Sequence, residues 1–416
     1  MKKLGKPVPD LTKLNEMAKA WRSSDSHIPV DFSNTEIAFA DKSDKELKQT
    51  AWLFKMMNNP ALVNVAGKLA MLAVKLRLPF FETITKKTIF PQFCGGTTLL
   101  DSQESIDRLY RQGVYSVLDY GAEGKDSEAD FNLTMNESIR AIEFAAGQDG
   151  VPIISNKITG IGRFALLEKV SATNDLTPAE REEFQNLLKR IDSICNKAAH
   201  LNVGVFIDAE ETWIQPAIDR IANQMMKRYN GKKVIVYNTF QLYCQDRLAY
   251  LMSSFDKAKE EGYMLGAKLV RGAYMDKERE RAREMGYPSP IQPTKKATDH
   301  DYDLAVRFCI ENYDKIACCI ASHNAESTRL AAELVAKRGI EKSHHHILFS
   351  QLYGMSDHLT FNLAKAGYNA SKYLVYGQVR EVVPYLIRRS QENSSVTGDM
   401  SRELGFIMRE MKRRGL

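Results

Sequence analysis

Between residues 114 and 376 one pattern recurs: a short apolar run rich in Val and Ile, then a longer stretch with the period of an amphipathic helix. The runs are VYSVLDY (114–120), PIISNKI (152–158), VGVFIDA (203–209), KVIVYNT (233–239), MLGAKLV (264–270), KIACCIAS (315–322), HILFS (346–350) and SKYLVY (371–376). Short buried strands that alternate with helices pair in parallel through right-handed crossovers. Eight such units close most economically into a (βα)8 TIM-type barrel. An open doubly wound sheet is the competitor, but it would need a phosphate-binding turn, and neither G-x-G-x-x-G nor G-x-x-x-x-G-K-[ST] occurs. The predicted organisation is an N-terminal helical segment (1–100), the barrel (101–400) and a C-terminal basic amphipathic helix (401–416).

Composition narrows the class. Hydrophobic content of 44% and charged content of 26% describe an ordinary globular protein, and a formal charge of +6 is mild. Nucleic acid is therefore not an expected partner, although the sign suits anionic small ligands or an acidic membrane surface. Six cysteines without C-x-x-C spacing read as reduced core thiols. His344, His345 and His346 precede the seventh run, at the wrong end of a barrel for chemistry, and no metal site is expected. MKKLGKPVPDLTKLNEM has no apolar run after its lysines, and no uncharged window reaches about 18 apolar residues. The expected location is cytoplasmic, with peripheral contact at the inner face of a membrane.

Barrels of this kind carry their chemistry at the carboxyl ends of the strands. Those ends read Lys157, Asp208, Asn238, Gln241, Lys268, Arg271, His323, Asn324, Gln351 and Tyr373. Each alone is explained by a rim that meets water or by a helix N-cap. Their accumulation at one end is harder to explain that way. In KLVRGAYMDKERERARE (268–284), Gly272 marks a sharp turn where a bulky group comes close. In YLIRRSQEN (385–393), Tyr385, Arg388, Arg389 and Glu392 share one helical arc, opposite Val382, Val383, Leu386 and Ile387. On this segment alone a solvated face laced with ion pairs is the simpler explanation.

In order along the chain, ISNKITG, FIDAEE, YNTFQLY, KLVRGAYMDKE, ASHNAES, FSQLYGMSD and YLIRRSQENSS resemble proline dehydrogenase (proline oxidase), over roughly residues 90 to 400. The resemblance implies a distorted barrel that binds FAD, oxidises L-proline to Δ1-pyrroline-5-carboxylate and passes electrons to a membrane quinone. It implies a proline site of Lys157, Asp208, Tyr373, Tyr385, Arg388 and Arg389, with Lys157, Arg388 and Arg389 central to catalysis. Gln241, Lys268, Arg271, Ala273, His323, Asn324, Gln351, Leu352, Arg389 and Glu392 would contact or support the cofactor. The last barrel helix would then lie over the mouth, turning its polar arc to the ligand.

The chemistry suits these residue types. Two guanidiniums and a lysine pair a carboxylate and fix its orientation, and Glu392 is spaced to hold both forks. A cationic, water-poor pocket favours the free amine of bound proline, and basic groups stabilise negative charge on a reduced flavin. Some positions depart from the family. Lys268 and Arg271 occur in the opposite order from some members, Val375 replaces a common proline, and Met275 replaces a tryptophan found in some. Tyr373 stands where hydroxyproline-oxidising relatives tend to carry a smaller residue, which favours proline.

Two alternatives remain at this level: a flavin barrel fed by a nicotinamide cofactor, such as a folate reductase, and a catalytically inactive barrel serving as a membrane-associated or regulatory binding module. Residues 60–78 and the tail RELGFIMREMKRRGL are the candidate membrane elements, with packing under the core the simpler reading of the first and docking of a terminal helix on the barrel an equal reading of the second. The length leaves no room for a fused aldehyde dehydrogenase, so a separate pyrroline-5-carboxylate dehydrogenase is expected downstream.

Overall fold

A computed structural model of the chain describes residues 30–121, 126–173, 175–395 and 399–416, with the side chains of 392–401 outside the description. Helices α1 (Thr35–Ala38), α2 (Asp44–Met57), α3 (Pro60–Lys75), α4 (Phe81–Lys87) and α5 (Phe90–Phe93) precede the strand β1 (Cys94–Gly96). Then α6 (Gln103–Arg111) leads into β2 (Val114–Tyr120), α7 (Glu128–Ala146) into β3 (Ile153–Asn156), and α8 (Phe164–Ala172) with α9 (Pro178–Leu201) into β4 (Gly204–Ile207). Next, α10 (Gln215–Tyr229) precedes β5 (Val236–Gln241), α11 (Arg247–Glu261) precedes β6 (Leu265–Val270), and α12 (Met275–Met285) with α13 (Lys295–Glu311) precedes β7 (Ile316–Ala321). The chain closes with α14 (Ala325–Lys337), β8 (Ile347–Leu352), α15 (Asp357–Lys365), β9 (Ala370–Tyr376), α16 (Val379–Ser395) and α17 (Asp399–Arg413).

The strand order is β1-β9-β2-β3-β4-β5-β6-β7-β8, and a β9–β8 pairing closes β2 to β9 into the ring of a (βα)8 barrel. Every one of the eight apolar runs overlaps a strand. The largest shift is at β5, which starts at Val236 rather than at Lys233. The buried amide of Asn230 explains it: its oxygen accepts from the N–H groups of Ile235 (3.0 Å) and Val236 (2.9 Å), holding the lead-in as a turn. β1 has no counterpart among the runs. It is only Cys-Gly-Gly, and a Cβ on Gly95 would lie 2.7 Å from Leu374, so the close pairing with β9 needs glycine there.

The chain divides into two compact units, which among the described residues are 161–349 and 30–160 with 350–416. In the first, β4 to β7 lie in parallel register, with Ile207 beside Asn238, Thr239 beside Lys268 and Lys268 beside Cys319. Phe206, Phe240, Ile191, Ile194, Ile218 and Ile320 fill its core. Helix α9 shows how local sequence fixes the elements. Thr177 and Glu180 form a reciprocal capping box, Pro178 sits in the first turn, and Asn202 ends the helix in the left-handed region. All six cysteines are buried, and none forms a disulfide.

In the second unit β2 and β9 pair over seven residues, from Val114 beside Ala370 to Tyr120 beside Tyr376. Helix α3 lies against α16, where Gly67 admits the side chain of Ile387. Helix α17 docks through buried Phe406 and Ile407. Its basic end is used internally: the buried carboxylate of Glu410 accepts from Arg413 (2.9 Å) and Arg414 (2.7 Å), and Arg414 also donates to the carbonyls of Phe39 and Lys42, both at 2.7 Å.

Under α17 lies a buried charge cluster. Glu403 accepts from the Ser356 N–H and hydroxyl, both at 3.1 Å, and lies 3.5 Å from His358 Nδ1, while Lys372 pairs with Asp357 at 2.8 Å. Burial, with Asp357 adding to it, pushes the Glu403 carboxyl up to about 7. Burial, helped by Arg402 and Lys372, pushes the His358 imidazole down to about 3. Burial alone would raise Asp357, but Lys372 and Lys42 hold it below its ordinary range.

Candidate active site

In the first unit the singled-out residues stand at the ends of adjacent strands. Asp208 follows β4, Gln241 ends β5, Lys268 lies within β6, Arg271 and Ala273 follow it, and His323 and Asn324 follow β7. Lys268 and Asp208 are brought together: Nζ lies 2.7 Å from Oδ1, and the ammonium sits 5.0 Å from the centre of the Phe206 ring. Two buried charges persist there because each neutralises the other. Gln241 is buried, and its amide donates to the Glu210 carbonyl at 2.7 Å.

Arg271 is held on three sides. Nε donates to Asp299 (2.8 Å), Nη1 to the Ser322 hydroxyl (2.7 Å) and Nη2 to the Ser327 hydroxyl (2.9 Å), and the guanidinium stacks 4.3 Å above the Tyr302 ring. None of these four partners was legible as a site residue, because they lie on α13, after β7 and on α14. Asn324 is the N-cap of α14, its side chain accepting from Glu326 N–H (2.9 Å) and Ser327 N–H (3.1 Å). His323 is half-buried and Ala273 exposed. The turn at Gly272 is sharp, with φ of +138°, and the group that crowds it is the ring of Tyr243, 2.4 Å from where a Cβ would stand. Asn238 turns instead to Asp219, to which its amide donates at 2.9 Å.

In the second unit Lys157 lies between β3 and a 3-10 turn, 3.3 Å from the carboxylate of Asp119 near the end of β2. Asp119 was missed from the sequence, although a carboxylate inside the apolar run VYSVLDY was its signal. Tyr373 is a buried residue of β9. Gln351 is buried in β8 and accepts from the Thr360 hydroxyl at 2.8 Å, while Leu352, at the end of β8, is half-buried.

Helix α16 is covered on both arcs. Val382, Val383 and Leu386 are buried, as the apolar arc requires. On the other arc Tyr385 and Arg389 are only 7% and 8% exposed, the Arg389 guanidinium lies 5.3 Å from the Tyr385 ring centre, and Arg388 is half-buried. The first turn of α16 is anchored where Tyr120 donates to Glu381 at 3.2 Å. The side chain of Glu392 lies outside the described residues.

The donor set fits a flavin nucleotide chemically: a buried amide, a buried ammonium and a fixed guanidinium succeed one another on β5 and β6, beside the polar end of β7. Among the described residues no group of His, Cys, Asp and Glu is arranged to hold a metal ion, and no helix is long and apolar enough to cross a membrane.

A family model described as proline dehydrogenase matches residues 102–402. Proline dehydrogenase 1, mitochondrial, of Drosophila melanogaster is 41% identical over 251 residues, 58% of this chain and 37% of that protein. Hydroxyproline dehydrogenase of Xenopus laevis is 33% identical over 414 residues, 90% of this chain and 88% of the relative. A crystal structure of proline utilization A from Bdellovibrio bacteriovorus, inactivated by N-propargylglycine, shares the fold with a TM-score of 0.72 at 19% identity, over 95% of this chain and 43% of that one. The chain therefore spans less than half of two of these proteins and most of the third. A family match across the barrel, joined to a relative 33% identical over 90% of the chain, establishes that this chain belongs to the proline dehydrogenase family.

Proposed function

We propose that this chain oxidises L-proline to Δ1-pyrroline-5-carboxylate, with FAD as cofactor and a membrane quinone as electron acceptor. The observation that carries the reading is the burial of Tyr385 and Arg389 on the polar arc of α16, a face that a solvated helix would leave in water. FAD, when bound, supplies the acceptor for the two electrons and the hydrogen that leave the ring carbon beside nitrogen.

The chain's own residues bind and orient. Arg388 and Arg389 present planar forks to the substrate carboxylate, and Lys157 adds a third cation. Tyr373, Tyr385 and Asp208 complete the proline site. The same cations disfavour the ring ammonium, so its proton leaves to water and no side chain is required as a general base. Gln241, Lys268, Arg271, Ala273, His323, Asn324, Gln351, Leu352 and Glu392 serve the cofactor. Lys268 and Arg271 place positive charge there, and Asp208 and Asp299 fix where that charge sits.

A second reading has one observation in its favour: the relative matched over 90% of the chain is named hydroxyproline dehydrogenase. Tyr373 argues against it, because a bulky buried side chain crowds a ring hydroxyl. Titrating the purified protein with L-proline, with hydroxyproline and with reduced nicotinamide cofactor, while following flavin absorbance, separates these readings. Bleaching at the lowest concentration by L-proline is expected. Preferential bleaching by hydroxyproline or by the nicotinamide would transfer the assignment, and protein isolated without flavin would leave a binding module.

A further inference from the structure

Helix α3 carries a stripe that a helix packed into a water-soluble surface does not. Leu62, Val65, Leu69, Leu72 and Leu76 are all exposed, Leu69 at 60%, and they fall within an arc of about 80°. Val63 and Gly67, on another side of the helix, face the protein. Exposed apolar side chains continue past the helix with Leu78, Phe80 (77%) and Ile84, and the neighbouring α2 adds Trp52 (56%) and Met56. Isolated exposed leucines need no explanation, but so many in one stretch mark an interaction surface.

The charges around this stretch are mostly positive. Between residues 60 and 88 the cations are Lys68, Lys75, Arg77, Lys86 and Lys87, and the sole acid, Glu82, is paired with Arg380 at 2.6 Å. Lys68 and Lys75 flank the leucine stripe along one edge of α3. An apolar stripe edged by lysines, with a Trp and a Phe at its margins, has the composition of a helix lying in a bilayer interface.

A partner helix is the competing occupant, because the spacing 62, 65, 69, 72, 76 is that of a coiled-coil seam. That seam spans two heptads where a coiled coil takes at least about three, and Trp52, Leu78, Phe80 and Ile84 lie outside it. In the other segment considered for membrane contact, α17, Phe406 and Ile407 are already covered, Met408 is exposed, and Arg413 and Arg414 are committed to Glu410. We propose that α3, the 76–80 corner and α4 form the surface by which this protein lies on an anionic bilayer, with leucines and Phe80 in the acyl boundary and lysines on the phosphates. The proposal rests on the quinone reading only for what the contact achieves.

The test is co-sedimentation of the full chain with phosphatidylcholine vesicles with and without phosphatidylglycerol, reading proline-dependent flavin bleaching in the same samples. The doubly exposed variant Leu69→Glu/Leu72→Glu should lower apparent affinity for the anionic vesicles by about tenfold or more. Lys68→Glu/Lys75→Glu should do so for anionic vesicles and leave neutral ones unaffected, while Met408→Glu on α17 should sediment like the parent. Bleaching should be unchanged in all three. Parent-like sedimentation of Leu69→Glu/Leu72→Glu would overturn the proposal, as would a variant that splits an oligomer without changing vesicle binding, which would make this face an interface between copies. A parent protein that binds vesicles but is not bleached by proline would instead refute the assigned reaction and leave the surface standing.

Discussion

Each unit sets one lysine against one strand-end carboxylate, and the two pairs are not alike. Lys268 and Asp208 meet at 2.7 Å with side chains 8% and 11% exposed, whereas Lys157 and Asp119 stand at 3.3 Å with side chains 19% and 4% exposed, so the carboxylate is at least as dry as in the first pair and the lysine is wetter. Arg271, next to the first pair, has each guanidinium nitrogen committed to Asp299, Ser322 or Ser327. The difference separates charge that is fixed from charge that can be exchanged. A tight, dry pair keeps its geometry whatever arrives, which suits the support of a permanently held cofactor. A looser pair whose lysine keeps contact with water can turn that lysine to a substrate carboxylate at lower cost, because the ammonium has been only partly desolvated.

The contrast can be broken experimentally at several points. The largest effect is expected on α16: Arg389→Ala should lower kcat/KM for proline about a thousandfold, roughly 4 kcal/mol, read from single-turnover flavin bleaching. Next is Asp208→Asn, which strands the Lys268 ammonium in a buried site and should cost about 3–4 kcal/mol of stability by denaturant unfolding. The matching Asp119→Asn leaves behind a lysine that can still reach water and should cost less, about 1–2 kcal/mol, and equal losses would erase the distinction between the pairs. Lys157→Ala should raise KM for proline about 10- to 100-fold with kcat within a few-fold, since an exchangeable cation contributes chiefly to binding.

The last expected effect is a pH dependence under α17. Folded Glu403 keeps its proton up to about 7, while the unfolded chain releases it near 4.5, so its contribution is present below 4.5 and is lost as pH rises through 7. Glu403→Gln keeps an acceptor for Ser356 and removes that loss. Its thermal stability relative to the parent should therefore climb between pH 5 and 8, by on the order of 1–2 kcal/mol. His358, held down to about 3, has the opposite dependence but is present in both proteins and drops out of the difference. An offset constant across that range would contradict the assignment.

Much of the barrel was legible because its strands are nearly continuous apolar runs, the pattern of strands covered on both faces. What escaped was set by single side chains or by distance along the chain. Asn230 moved the start of β5, and no hydrophobic pattern carries that information. β1 is too short to have a period and depends on Gly95 lying against Leu374. Strand-end polarity pointed to Lys268 and Asp208, which the fold pairs, and equally to Asn324, which caps a helix, and Asn238, which binds Asp219. Asp299, Ser322, Ser327 and Tyr302 around Arg271 were invisible because only the fold assembles them. Residues 60–78 and the C-terminal tail both suggested membrane contact as sequence; the structure buries Phe406 and Ile407 of α17 while leaving Met408 exposed, and leaves a whole row of leucines on α3 exposed.

The central claim, that α16 grips a carboxylate, is tested most directly by comparing L-proline with pyrrolidine, the same ring without the acid group, as flavin reductants of the parent protein and of Arg388→Ala. The expected result is a strong preference for proline in the parent that falls about a hundredfold in the variant, almost entirely through weaker reaction with proline. An unchanged preference in Arg388→Ala, with flavin retained, would contradict the account.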